Sequence, residues 1–192
     1  IDASGIAPPV KALGQYQTLE KTWDVSGDSG LHNLLVQAPG IVFIDYDASL
    51  ADSLIAKFVL SGDSEDLINA FNVVSWNEHE ADGVELRFKF AKGGNYRGHL
   101  FTQVLVGDKQ VLKNLKSVSS ADVVIHDDVL TNNDASASLE IGVFGSGDVT
   151  VKSTQKLTLG TFSVTTSGSG DIEVSAPLID VSESISVNVV GS

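Results

Sequence analysis

Cysteine and methionine are both missing from this 192-residue chain, and proline occurs only four times. Without cysteine the chain has no disulfide and no thiol nucleophile, although this does not identify its redox compartment. No Asn-x-Ser/Thr sequon is present, so N-glycosylation is not expected. No apolar run approaches the roughly 20 residues that span a bilayer. What remains is a domain without covalent cross-links, for which 42% hydrophobic residues supply a core.

Positive charge is scarce, because 12 Lys and Arg stand against 25 Asp and Glu, a net charge of −13. This balance argues against nucleic acid as a partner, since nucleic-acid binding needs a basic surface. It also argues against direct docking on, or insertion into, an anionic membrane. From Val118 onward ten acidic residues face two lysines, so the C-terminal part carries most of the excess. A solvated acidic surface is the simplest interpretation, and cation binding is the alternative.

The tetrapeptide Gly-Ser-Gly-Asp occurs twice, at 145–148 and at 168–171, 23 residues apart. A fixed period of this length is typical of stacked coils, in which each repeat buries its apolar face against its neighbours. Around both copies, apolar residues alternate with polar ones, as in strands with one buried face. We therefore predict an all-β fold, a right-handed parallel β-helix-like stack of three short strands per coil.

The period also predicts which strands lie on one another. An earlier coil is expected at Val123 and Ile125, 26 residues before its successor, with the extra residues in a loop at 131–135. In the first predicted stack, Ile141 and Val143 lie near Phe162 and Val164, and these lie near Ile185 and Val187. In the second, Val149 and Val151 lie on Ile172 and Val174. In the third, Leu157 and Leu159 lie on Ile179 and Val181.

Tight corners are expected at the repeated glycines, where a missing Cβ permits unusual φ angles or close backbone approach. These corner glycines are Gly145 and Gly147, and Gly168 and Gly170. The Asp that ends each motif would accept a hydrogen bond from an amide just beyond it, as in an Asx-turn. The alternative is calcium, since Asp148 and Asp171 would lie about 4.8 Å apart in a stack and a bridging Ca²⁺ would relieve their repulsion. No other cofactor is expected.

The first residue is Ile1 rather than Met, so we expect the chain to begin after a processing step or after a removed tag. Residues 1–19 are interpreted as a flexible segment and residues 20–192 as a single β domain. In that domain we expect an irregular β-rich part over 20–117, followed by repeated coils over 118–192. The irregular part is predicted to contain a hairpin of 72–76 with 84–90, a second pair of 31–36 with 41–46 turned at 37–40, a strand at 100–106, and a short helix within 64–70 begun by Ser64.

An irregular part that caps one end of a stack would leave the other end open. A homodimer through a β-edge or through coil-end packing is one possible consequence.

In their order along the chain, these segments resemble the auto-transporter adhesin head domain, also called the GIN domain. The resemblance covers roughly residues 20–192 and is carried by Leu31 to Val36, Ile41 to Ile44, Val84 to Phe88, Val111 to Val118 and the repeated Ser-Gly-Asp-Val/Ile corners. It departs at the first C-terminal corner, where Ser120 and Ala121 stand in place of glycines. The resemblance implies a secreted or cell-surface β-helical domain that acts in adhesion, with a protein or carbohydrate partner. It brings no catalytic residues with it.

No zinc motif, nucleophile elbow, P-loop or dinucleotide fingerprint is present in the sequence. Two polar groups remain as a possible acidic site: Asp45 and Asp47 on one strand, and His126, Asp127 and Asp128 directly after another. Two carboxylates on one face could serve glycoside hydrolysis or hold Ca²⁺, whereas a polar turn is the simpler interpretation of the second group. Trp23 and Trp76 are the best candidates for sugar platforms, although a place in the core is the simpler interpretation of Trp76 on its amphipathic strand.

Non-enzymatic adhesion or extracellular matrix or envelope interaction is the function we favour from the sequence. The alternatives are a polysaccharide-active β-helical enzyme with an acidic cleft, and a structural scaffold or secreted interaction protein.

Overall fold

The computed structural model describes residues 1–9, 15–50, 54–76, 83–89 and 96–191. More than half of these residues lie in strands, with one α-helix and a 3-10 turn at Ala48–Leu50, which confirms the all-β class. The elements in chain order are β1 (Asp2–Ala3), β2 (Leu19–Val25), β3 (Asn33–Gln37), β4 (Ile41–Tyr46), β5 (Ala56–Gly62), α1 (Glu65–Asn69), β6 (Phe71–Ser75), β7 (Gly83–Phe88), β8 (Leu100–Val106), β9 (Asn114–Ser117), β10 (Asp122–Ile125), β11 (Asp134–Val143), β12 (Val149–Lys152), β13 (Leu157–Ser167), β14 (Ile172–Ser175) and β15 (Ile179–Val190).

The strands form two sheets. The eight-stranded sheet has the order β1-β2-β5-β8-β4-β10-β12-β14, and the seven-stranded sheet has the order β15-β13-β11-β9-β3-β7-β6. From β9 onward the chain alternates between the two sheets, and each strand pairs in parallel with its counterpart in the next coil. Val149 pairs with Ile172, and Leu157 with Ile179, so these predicted stacks are confirmed. The hand of the coil stays a prediction.

From β10 onward, each coil contains one short and one long strand instead of the three short strands predicted. β13 covers two of the predicted strands, and its register against β15 shifts between Leu159 and Thr161. Gly160 lies at this irregularity, where a Cβ would stand 2.7 Å from the carbonyl oxygen of Ala135. A bulge bends a strand locally without ending it. A single strand with a bulge at Gly160 therefore takes the place of the two strands and the corner that were predicted.

One predicted stack is wrong by two residues, because Ile141 pairs with Val164 rather than with Phe162. A shift of two keeps every side chain on its original face, so the alternating pattern alone does not detect it. The earlier coil is confirmed, since Val123 pairs with Val149. Its extra residues lie partly beyond the predicted loop, because the register of β11 shifts between Asp134 and Ser138.

The N-terminal part supplies two further coils. β3 and β4 belong to different sheets, and they pair in parallel with β9 and β10. The predicted pairing of 31–36 with 41–46 is therefore wrong, and residues 37–40 form a corner between the sheets instead of a hairpin turn. β7 and β8 form another coil on the opposite side of β3 and β4. Between β4 and β7, the chain forms β5, α1 and β6, which lie at the end of the stack.

Antiparallel strands close this end of the stack. β6 pairs with β7, which confirms that hairpin, and β5 and β2 extend the other sheet beyond β8. Residues 77–82 and 90, which belong to the predicted hairpin, lie outside the described residues. Helix α1 begins after the N-cap Ser64, as predicted, and buries Leu67 and Ile68. β1 pairs with β2, while the proposed boundary at residue 19 stays a prediction.

The inward side chains of the coils form one core that reaches from Trp23 to Phe162. Leu115 and Ile141, in the middle of the stack, are fully buried. At the far end, no described strand pairs with the outer edge of β15. There the inward positions Ile185 and Val187 are 61% and 68% exposed. The stack therefore has one capped end and one open end.

Candidate functional site

The motif aspartates connect successive coils. Oδ1 of Asp122 accepts the backbone N–H of Asp148 at 3.1 Å, and Oδ1 of Asp148 accepts the N–H of Asp171 at 2.9 Å. These contacts run from coil to coil, whereas the Asx-turn interpretation placed them within one coil. The described residues contain no group of three or more His, Cys, Asp or Glu that could hold a metal ion. Calcium at Asp148 and Asp171 stays a prediction. We call the contacts from Asp122 to Asp148 and from Asp148 to Asp171 the aspartate ladder, and they connect the coils without an ion.

The corner glycines lie where the backbones of successive coils come closest. A Cβ on Gly145 or on Gly147 would stand 2.0 Å from a carbonyl oxygen of the coil below, and the distance is 2.2 Å for Gly168 and for Gly170. Gly168 also has a positive φ of 142°. At the first corner Ala121 replaces a glycine and is fully buried. Close backbone approach is therefore the main reason for glycine in these motifs.

Two of the predicted acidic residues accept hydrogen bonds from backbone and hydroxyl groups. Asp47 accepts from the backbone N–H and the hydroxyl of Ser49 at 2.9 and 2.7 Å, and these bonds lower the pKa of Asp47. Asp127 accepts from the hydroxyl and backbone N–H of Thr154 at 2.6 and 2.8 Å. The hydroxyl of Thr154 is the main cause that lowers the pKa of Asp127. Asp47 thus fixes a turn, Asp127 connects its corner to the next coil, and the lowered pKa values hold both carboxylates in the charged form.

Asp128 also has partners of its own. It lies 3.0 Å from Nζ of Lys109 and accepts from the side-chain amide of Gln155 at 3.3 Å. The groove that Asp127, Asp128 and His126 help to line encloses about 10 Å³, room for roughly one water molecule. The groove does not enclose a sugar ring, and the acidic site at this cluster stays a prediction.

Asp45 and His126 are brought together although they are 81 residues apart in the sequence. β4 pairs in parallel with β10, which sets the end of one strand beside the end of the other. Nδ1 of His126 lies 2.5 Å from Oδ1 of Asp45, and Nε2 of Gln103 donates to Oδ2 of Asp45 at 3.0 Å. Both oxygens of the carboxylate are therefore engaged. We call Gln103, Asp45 and His126 the polar row.

Apolar side chains surround the polar row on the outer face of the eight-stranded sheet. The members of this outer apolar patch are Ile41, Phe43, Val59, Phe101, Leu105 and Val124. Ile41 is 44% exposed, and the other members are partly exposed. The ring of Phe43 lies 5.2 Å from that of Phe101 and 5.8 Å from that of His126. The strand pairing of β4, β8 and β10 holds these side chains in fixed positions.

Sequence reasoning missed the outer apolar patch, although a signal for it exists. The run from Ile41 to Ile44 is apolar at every position, so one half of it has to face away from the core. Val42 and Ile44 are fully buried, which leaves Ile41 and Phe43 outside.

The predicted sugar platforms are wrong. Trp23 and Trp76 are 1% and 7% exposed, so neither ring offers a face to a ligand. Trp23 shares the inner face of β2 with Val25, and the core covers both. Large aromatic rings gain most from burial, which explains their position.

Comparisons with known proteins leave the family open. No known protein family and no curated protein matches the chain. The chain is similar to the solved structure of a candidate cell adhesion protein from Clostridium sporogenes, with 10% identity over 88% of this chain and 97% of that chain and a TM-score of 0.43. It is similar to a candidate adhesin from Bacteroides fragilis, with 9% identity over 88% and 94% and a TM-score of 0.48. It is also similar to a candidate lipid binding protein from Parabacteroides distasonis, with 14% identity over 88% and 96% and a TM-score of 0.41.

Similarities of this extent carry no argument about the function of this chain, and the resemblance to the GIN domain stays a prediction. In the described part of the chain, no helix is both long enough and apolar enough to cross a membrane.

Proposed function

We propose that this chain is a non-enzymatic recognition domain of a secreted or cell-surface protein, and that it acts in adhesion by binding a protein partner through the outer apolar patch. The observation that carries the proposal is the patch itself, six apolar side chains on the solvent side of one sheet. Contiguous exposed apolar surface rimmed by polar groups marks an interaction site in soluble proteins. The secreted or cell-surface location is what the family resemblance implies.

A protein partner suits this surface better than a small ligand. The patch lies across β5, β8, β4 and β10 on an open sheet face, and protein interfaces combine apolar contact area with hydrogen-bonding groups in this way. Phe43 and Phe101 supply aromatic contact area, the kind of side chain that contributes most at interfaces. The polar row adds hydrogen-bonding groups that Asp45 holds in place. Strand pairing holds these residues in place before binding, so little conformational entropy is lost when the partner binds.

A matched pair of variants tests the proposal. Phe43→Thr removes the central ring and keeps a residue that favours strands. Ser163→Thr is the control, since it lies on the outer face of the other sheet, between the inward Phe162 and Val164. Binding is measured by biolayer interferometry on immobilised fibronectin, laminin and collagen. We expect saturable binding to at least one of them, weakened about tenfold or more by Phe43→Thr, as for an interface hot spot, and unchanged in the control.

Equal binding by both variants would place the contact elsewhere and overturn the proposal. The chain could instead bind none of the three proteins and bind a glycan array in a way that Phe43→Thr abolishes. That result would show that the partner is a carbohydrate and not a protein.

The contact between Asp45 and His126 is the observation that favours a second candidate, a polysaccharide-active enzyme. A carboxylate that orients an imidazole is a common arrangement for proton transfer. However, a glycosidase also needs a general acid with a raised pKa, and Asp47 and Asp127 have lowered ones. Cleavage of a polysaccharide from a broad panel that is lost in Asp45→Asn would support the enzyme. No cleavage across the panel would exclude it for those substrates.

A further inference from the structure

The open end of the stack exposes a strand edge together with apolar side chains. In β15, the inward positions Ile185, Val187 and Val189 are 61%, 68% and 71% exposed. Ile185 and Val187 continue the columns that Phe162 and Val164 occupy in the preceding coil, and Val189 pairs with Thr166. No described strand covers the edge. Unpaired edges of this kind are templates for pairing with another chain.

The edge segment lacks the usual protection against such pairing. Residues 184–190 contain no charged residue and no proline, the two common means of keeping strand edges apart. The nearest charged residue is Glu183, at the beginning of the segment. This differs from the rest of the last coil, in which Asp171, Glu173 and Asp180 are exposed or flank the strands. A strand partner therefore meets a neutral edge of seven residues.

The segment is also complementary to itself. Around Val187, polar residues stand one position away on both sides, at Ser186 and Asn188, and apolar residues stand two positions away, at Ile185 and Val189. An antiparallel copy centred on Val187 would place Ile185 opposite Val189 and Ser186 opposite Asn188, while Ser184 would meet Val190 at the two ends of the segment. Paired residues in antiparallel strands point to the same face. Both copies would thus extend one inner apolar layer across the junction.

We propose that two copies of this chain associate end to end through β15, antiparallel, with the two-fold axis at Val187. In this register Ile185 pairs with Val189 of the second copy, and Val187 pairs with its own equivalent. Glu183 falls opposite Gly191 of the second copy, so no charged residue opposes another in the junction. The interface is isologous and closes as a dimer. The inference does not depend on the outer apolar patch.

Single-cysteine variants test both the partner and the register, because the chain has no cysteine of its own. In the proposed dimer, the two copies of Val187→Cys face each other with Cα atoms about 4.5 to 5.5 Å apart, which a disulfide spans. Two copies of Val189→Cys lie four residues out of register, about 14 Å apart, which a disulfide does not span. After mild oxidation, we expect non-reducing gels to show a covalent dimer for Val187→Cys and at least tenfold less for Val189→Cys.

An equimolar mixture of Ile185→Cys and Val189→Cys supplies a further control. We expect it to form the mixed disulfide, identified by mass spectrometry, since these two positions are paired. Equal cross-linking of Val187→Cys and Val189→Cys would show random collision or another register, and it would overturn the proposal. All of these positions are exposed, so the substitutions should leave the fold intact, which circular dichroism checks.

The mass in solution gives an independent test on the unmodified chain. Analytical ultracentrifugation should show a reversible monomer–dimer equilibrium that Val187→Lys shifts fully to monomer, because two lysines would meet at the axis. Since each copy carries a net charge of −13, higher ionic strength should favour the dimer. A monomer at millimolar concentration and high salt would overturn the proposal. So would association that Val187→Lys leaves unchanged, which would point to another surface.

Discussion

The middle and the open end of the stack contain the same column of side chains in very different surroundings. Ile141, Val164 and Val187 follow one another in register through three coils. Ile141 is fully buried, Val164 is half-buried, and Val187 is 68% exposed. Each residue belongs to the same alternating pattern and faces the same side. Alternation therefore defines the face on which a side chain lies, while the next coil decides whether that face is covered.

The capped end shows the other solution to the same problem. There the antiparallel strands β5 and β6 extend the two sheets past the last parallel coil. Phe58 and Phe71 on these strands are 0% and 2% exposed, and α1 packs over β5 and β6. A stack of coils needs such a cap because its cross-section is apolar. Substitutions in the covered and in the open parts of the stack give four predictions.

The largest difference is expected between Ile141→Ala and Val187→Ala, in the same column. The first leaves a cavity in the core and should lower the free energy of unfolding by about 2 to 5 kcal/mol. The second removes exposed atoms and should change it by less than about 0.5 kcal/mol. Urea unfolding of dilute protein followed by fluorescence measures both. Similar losses for the two variants would show that the open end is covered in solution even at low concentration.

A second contrast concerns the corners. Gly147→Ala would place a Cβ 2.0 Å from the carbonyl oxygen of Ala121. Because backbone atoms of two coils would have to separate, we expect a loss of about 1 to 3 kcal/mol in the free energy of unfolding. Gly5→Ala is the matched control, since nothing lies within 4 Å of its Cβ position. Thermal and urea unfolding check the pair. An unaffected Gly147→Ala would contradict the close stacking of the corners.

The third prediction compares an aspartate within the stack with the aspartate of the last coil. Asp148→Ala removes the acceptor for the backbone N–H of Asp171 and should cost about 1 kcal/mol. Asp171 has no described amide above it, so Asp171→Ala should cost less than about 0.5 kcal/mol. The midpoints of urea unfolding at neutral pH measure the difference. If calcium bridges the two residues instead, calcium would raise the midpoint of the wild-type chain, and both variants would lose that increase.

The smallest effect concerns acid stability at Asp127. Its folded-state pKa is lowered by the hydroxyl of Thr154, so its contribution is present above the unfolded pKa of about 3.9 and is lost as pH falls through the folded value. Asp127→Asn removes this titration. The variant should lose less stability than the wild-type chain between pH 5 and pH 2, measured as the shift of the urea midpoint. Equal losses would show that Asp127 contributes nothing to acid sensitivity.

Much of the coil region could be predicted from the sequence. The alternation from Leu139 to Val189 and the repeated corners gave the all-β class and most of the stacking, because burial of one face imposes period two. The register of Ile141 could not be predicted, since a shift of two residues preserves that pattern. The hairpin assigned to 31–46 failed for a related reason. Two apolar runs joined by a Pro-Gly turn look the same whether they pair with each other or with distant strands.

The site was less predictable than the fold. The sequence marked Asp45 and His126 as separate candidates, and nothing local connects residues 81 positions apart. Asp47 and Asp127 look equally suited to chemistry in the sequence, yet the structure commits both carboxylates to hydrogen bonds from backbone and hydroxyl groups.

The alternation within the strands, the glycines at the corners and the acidic surface all follow from the sequence alone, because each depends on a few neighbouring residues. The tertiary structure decided which apolar side chains are covered, that Asp45 meets His126, and that Phe43 lies in an exposed patch while Trp23 is buried. These features depend on which strands become neighbours in the sheets, and parallel coils bring together residues that lie far apart along the chain.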